Sequence, residues 1–139
     1  MYLRNNILKL IIFIIFIFQL SINLVKAKDI NAYEIYKICN NYYQWVNKNY
    51  SLPVDEKMLF NMGKCQGMIQ TLGRTMLTLC YENKKNANIN KKLTANLQGI
   101  KTIDIIEGFL NAAKKDGKLR SYSANSYLIE FISKQWPCK

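Results

Sequence analysis

Apolar side chains recur between residues 58 and 79 at intervals of 4, 3, 4, 3, 4 and 3: Met58, Met62, Cys65, Ile69, Leu72, Met76 and Leu79. An unbroken a/d seam over three heptads predicts a buried helix opening around Asp55. Gly63, Gly67 and Gly73 each cost about 1 kcal/mol relative to alanine in a helix interior. They are expected to let a neighbouring helix come close. Upstream, Ile35, Ile38, Cys39, Tyr42, Trp45 and Val46 fall on one face of a helix that starts at Asn31. Glu34, three positions on, gives that start the form of a capping box. The helix should fail near Asn49, because Pro53 disfavours helical geometry at Leu52.

The stretch from Tyr81 to Lys101 is rich in asparagine and lysine and shows no apolar period, so it reads as an exposed connection. A third helix is expected from Thr102 as N-cap, with Asp104 in its first turn and Ile103, Ile106, Phe109, Leu110 and Ala113 on its buried face. "KKDGK" should close it, with Gly117 as the residue just past the end. A fourth helix runs from about Ser123 to Gln135 on Tyr127, Leu128, Phe131 and Ile132, and Pro137 stops it. The pattern predicts an all-α, four-helix domain.

The start of the chain differs in kind. "MYLRNN" is short and basic, "LKLIIFIIFIFQLSINLV" is apolar, and "VKA" places Val25 and Ala27 where a leader peptidase wants small residues. Residues 1–27 therefore read as a signal peptide, with a domain over 28–139. The alternative is an uncleaved anchor, although the apolar run falls short of the roughly 20 residues of a comfortable span. After cleavage no stable membrane span should remain. Loss of Arg4, Lys9 and Lys26 leaves 17 basic against nine acidic residues, a net charge of +8. That surplus favours acidic partners.

Four cysteines beyond an export signal, Cys39, Cys65, Cys80 and Cys138, read as two disulfides in an oxidising compartment. On a continuous second helix, Cys65 and Cys80 would stand about 22 Å apart along the axis. Disulfide Cα atoms rarely exceed about 7 Å, so these two cannot pair. An antiparallel hairpin turning near residues 50–54 puts Cys39 and Cys65 level with each other. This favours Cys39–Cys65, leaving Cys80–Cys138 to tie the second helix to the C-terminus. Loop closure makes the two worth about 3.5 and about 4 kcal/mol.

The chain has no histidine, which removes Ser-His-Asp triads, Cys-His dyads and His-bearing zinc sites. Asp55 with Glu56, and Asp104 with Glu107, lie at helix starts, where acids serve the helix dipole rather than proton transfer. In "NNYYQW", Tyr42 and Trp45 should be buried, leaving chiefly Tyr43 exposed. No catalytic residue, cofactor or metal site is expected, and no nucleic-acid partner. Lys115, Asp116, Gly117 and Lys118, in the basic turn "KKDGKLR", are the expected partner contact.

"YKIC" in the first helix, "CQGMIQTLGRTM" in the second, and a tail with Gly99, Thr102, Ile106, Phe109-Leu110, Ala124, Leu128 and Trp136-Pro137-Cys138 carry a likeness. Together they resemble the Rap/Tai family of periplasmic immunity proteins, which neutralise cell-wall amidase toxins delivered by type VI secretion. The resemblance spans most of residues 28–139. The family's Cys-Ile-Pro before the third helix is replaced by "NLQ", and its His-Pro after that helix by "DG". What the resemblance implies is a periplasmic, non-enzymatic protein, a homodimer, that occludes the cleft of an amidase toxin. A chaperone-like envelope protein or secreted effector, binding anionic surfaces through its basic face, is the alternative.

Overall fold

The computed structural model describes residues 30–85 and 88–139; the expected leader lies outside them. Four helices make up the described chain: α1 (Ala32–Asn47), α2 (Glu56–Lys84), α3 (Thr102–Ala113) and α4 (Ala124–Gln135). Short 3-10 turns at Lys91–Leu93 and Leu119–Ser121 lie between them. The all-α, four-helix reading therefore stands. No helix among the described residues is long and apolar enough to cross a membrane.

Local capping sets the helix starts. The Asn31 side chain accepts from the Glu34 amide at 2.9 Å, and Asp55 does the same for Met58 at 2.6 Å. The Ser123 hydroxyl accepts from the Ser126 amide at 3.3 Å. The starts of α1 and α4 are also bonded to each other, Ala32 N–H to Tyr122 C=O at 2.9 Å and Ala124 N–H to Ile30 C=O at 2.8 Å. For α3 the cap lies one residue earlier than expected. Lys101 is the N-cap, and the Asp104 carboxylate reaches back to accept from its amide at 3.3 Å.

The core is built from Ile35, Ile69, Ile106, Phe109, Leu128 and Ile132, all fully buried. Along α2 the buried set is Met62, Cys65, Ile69, Gly73, Met76 and Cys80, while Met58, Leu72 and Leu79 are half-buried. The expected seam repeats every 3.5 residues, but α2 buries every 3.6 residues (18 residues in five steps). A helix that does not supercoil drifts by about 20° per heptad off a strict seven-residue repeat, so Met58 turns partly outward and Leu72 and Leu79 give way to Gly73 and Cys80. In α3 the buried face is Ile105, Ile106, Phe109, Leu110 and Ala113, and Ile103 is only half-buried.

Three further expectations are corrected. Nothing would touch a Cβ at Gly63 or Gly67, so they admit no neighbouring helix; Gly73 does, with Leu97 Cδ1 at 3.2 Å and Ile105 Cδ1 at 3.7 Å. The connection after α2 is not simply exposed. Thr94, Ala95 and Leu97 are buried, and this strap is held by Ala95 N–H to Met76 C=O at 3.2 Å and Asn96 N–H to Trp136 C=O at 2.9 Å. Backbone hydrogen bonds and two small side chains suffice to bury it, which a search for apolar periodicity does not register. Finally, Gly117 is not a left-handed helix cap. Among the described glycines only Gly99 has a positive φ, 78°.

Both disulfides are present as the hairpin register requires. Cys39–Cys65 has a Cα–Cα distance of 5.2 Å and Cys80–Cys138 one of 5.7 Å.

Candidate binding surface

The basic turn after α3 is shaped by its backbone. Lys115 N–H donates to Ala112 C=O at 3.3 Å and Asp116 N–H to Ala113 C=O at 3.1 Å, winding the chain past the helix end. The Asp116 carboxylate then accepts from the Lys118 amide at 2.8 Å, and Ser121 N–H donates to Lys118 C=O at 2.9 Å. Leu119 is buried and pins the turn to the core. The expected contact residues Lys115, Gly117 and Lys118 are thereby presented to solvent, while Asp116 is half-buried.

The N-terminal turns of α1 complete the surface. Tyr33 stacks on Tyr36 at 6.5 Å between ring centroids. The Arg120 guanidinium lies 4.2 Å and the Lys37 ammonium 4.8 Å from the Tyr33 ring centre. Cations are attracted to the negative face of an aromatic ring, so Tyr33 orients two charges that would otherwise swing freely. A shallow cleft of about 230 Å³ lies among Tyr33, Tyr36, Lys114, Asp116, Gly117 and Arg120. Lys37, Lys114, Lys115, Lys118 and Arg120 lie along these turns against the carboxylates of Glu34 and Asp116, an excess of positive charge that favours anions.

Asp116 also lines a second cleft of about 210 Å³ on the α4 side, with Tyr122, Tyr127, Glu130 and Lys134. Burial, reinforced by the facing Asp116 carboxylate, pushes the Tyr127 hydroxyl up to about 12. At neutral pH it keeps its proton and serves as a donor, not as a base. Burial, helped by Tyr50, likewise raises Tyr42. Lys134, on the exposed side of α4, is raised by its hydrogen bond to Glu130 at 2.6 Å.

The other residues considered for chemistry are tied down. All four cysteines are in disulfides. Asp55 and Asp104 bond the backbone at their helix starts. Tyr42, Tyr43 and Trp45 are all half-buried, Tyr43 packing against the core rather than standing out, and Trp45 meets Tyr50 edge-on at 4.6 Å. The surface is thus suited to holding an anionic partner by charge and shape. The sequence reading took in the basic turn from Lys114 to Arg120 but not Tyr33 or Lys37. The i, i+4 spacing of Tyr33 and Lys37 was a visible signal; the approach of Arg120 from 87 residues away was not. Comparison with protein-family models, with curated proteins and with solved structures finds no match to this chain.

Proposed function

We propose that this chain is a non-enzymatic periplasmic immunity protein that binds an exported cell-wall amidase and blocks its substrate cleft. The carrying observation is the division of labour among its reactive groups. Every thiol is used to clamp the bundle, while a cationic surface ordered on Tyr33 is presented around that ring and the Lys114–Arg120 turn. Such a surface recognises carboxylates on a protein partner, and a rigid scaffold lowers the cost of ordering it on binding. The leader-like start and the family-like tail supply the compartment and the class of target.

The test is gel filtration and peptidoglycan hydrolysis with purified cell-wall amidases, alone and mixed with the oxidised protein. A stable complex with loss of hydrolysis is expected, and K115E/K118E should weaken it. Amidases that neither co-elute nor lose activity would overturn the reading. The cation cluster also favours the second reading, attachment to anionic envelope surfaces. Its mark is binding to anionic vesicles that collapses between low and physiological salt.

A further inference from the structure

The strap that follows α2 passes beside the outer face of α4, and an open groove of about 720 Å³ lies between them. This is about three times the volume of the cleft beside the basic turn, and the two share no lining residue. Lys91, Lys92 and Leu93 line one side, Ile129 and Lys134 the other, with Pro137 at the floor. Leu93 is 43 % exposed although it stands beside this apolar floor.

The dimensions and charge narrow the occupant. The α4 residues that line the groove run from Ser126 to Lys134, about 12 Å of helix. That accommodates about four residues of extended chain, at roughly 3.3 Å each. Lysines stand on both walls. Lys134 is neutralised by Glu130 at 2.6 Å, whereas Lys91 and Lys92 make no ion pair among the described residues. In extended chain, alternate side chains point to opposite faces. A segment alternating apolar and acidic residues therefore sets its apolar groups on Leu93, Ile129 and Pro137 and turns its carboxylates toward the rim. A single-headed anionic amphiphile would bring one carboxylate to Lys91 and Lys92, whereas a segment with two acidic side chains matches both.

We infer that the groove between the Lys91–Leu93 turn and α4 is a docking site for a short extended segment of a partner protein that alternates apolar and acidic residues. It is a surface separate from the basic turn, and its occupant is defined by this chemistry whatever binds at Tyr33. The experiment is fluorescence anisotropy of a labelled peptide alternating leucine and glutamate, titrated with the oxidised protein at low ionic strength. Saturable binding is expected, weakened about tenfold by K91E/K92E and unchanged by K115E/K118E. Ile129→Ser is the second variant; it removes apolar floor at a half-buried position and should also weaken the probe, with an unchanged melting curve showing that the fold is intact. A matched peptide alternating leucine and lysine should not bind. Absence of probe binding, affinity indifferent to K91E/K92E, or binding of laurate but not of the peptide would each overturn the inference.

Discussion

On one side of the Cys39–Cys65 bridge the helical hairpin is a core; on the other it is an arm. Toward its root, Ala32, Ile35, Ile69, Met76 and Cys80 are buried against α3, α4 and the strap. Toward its tip, Phe60 is 73 % and Tyr50 61 % exposed, and Tyr42, Trp45 and Val46 are only half-buried. Lengths explain the difference. The 29 residues of α2 reach about 43 Å, but the 12 residues of α3 and of α4 reach only about 18 Å each. Two short helices cannot cover a long hairpin, so the same apolar pattern has different fates at its two ends. A helical face buries its side chains only where something stands opposite.

The sharpest way to break this comparison uses one residue type in both places. Phe109 is fully buried, and Phe109→Ala should cost about 3–5 kcal/mol through lost transfer energy and the cavity left behind. Phe60→Ala should stay within about 0.5 kcal/mol, as exposed substitutions do. Urea denaturation reads both. A large loss at Phe60 would mean that the tip is packed after all.

Next in size are the two clamps, which close 26 and 58 residues. Converting Cys80 and Cys138 to alanine should cost about 4 kcal/mol, and converting Cys39 and Cys65 about 3.5 kcal/mol, on loop entropy. Hydrogen exchange sharpens the contrast. Loss of Cys80–Cys138 should expose the Ala95 and Asn96 amides, which bond Met76 and Trp136, while loss of Cys39–Cys65 should free the tip first. Equal exchange in both variants would show that the bridges do not divide the molecule this way.

Both disulfides were legible before the fold was seen, because a hairpin turn fixes which cysteines stand level and sulfur pairing tolerates little distance. The four helices were legible for a similar reason: caps and apolar period act locally. The strap was not. Thr94, Ala95 and Leu97 sit in a run of asparagine and lysine, and their burial comes from backbone bonds to Met76 and Trp136, distant in sequence. The candidate surface divides along the same line. Lys115 to Lys118 lie in one turn and could be read as a unit, whereas the Tyr33 stack joins α1 to the 3-10 turn that follows α3. Tertiary partners of single side chains leave no periodic trace.

Glycines on the inner and outer faces of α2 give smaller effects of opposite sign. Gly73 faces Leu97 Cδ1 at 3.2 Å, so Gly73→Val forces branched carbons into a filled space. It should cost about 1–3 kcal/mol by overpacking. Gly67 has nothing within reach of an added Cβ, so Gly67→Ala should gain about 1 kcal/mol from helix propensity alone. Melting temperatures of the two variants should move in opposite directions. Destabilisation by Gly67→Ala would show that something covers this outer face of α2 in solution.

The last effect concerns Tyr127, at the root, and it is visible only in alkali. Its hydroxyl, pushed up to about 12 by burial and by the facing Asp116, holds a proton in the folded state that the unfolded chain releases near the ordinary value of 10.0. Between those values the folded state binds more protons, so stability falls as pH rises. The contribution is complete below pH 10 and is lost progressively toward pH 12. Tyr127→Phe removes the proton and with it this slope, so the stability difference between parent and variant should shrink across that window. Every other ionisable group is common to both proteins and cancels in the difference. Absorbance at the tyrosinate band gives the independent reading, because one ring fewer should ionise late in the variant. A difference that stays flat from pH 9 to 12 would place the Tyr127 hydroxyl in water, and the cleft beside Asp116 would then be as open as the tip.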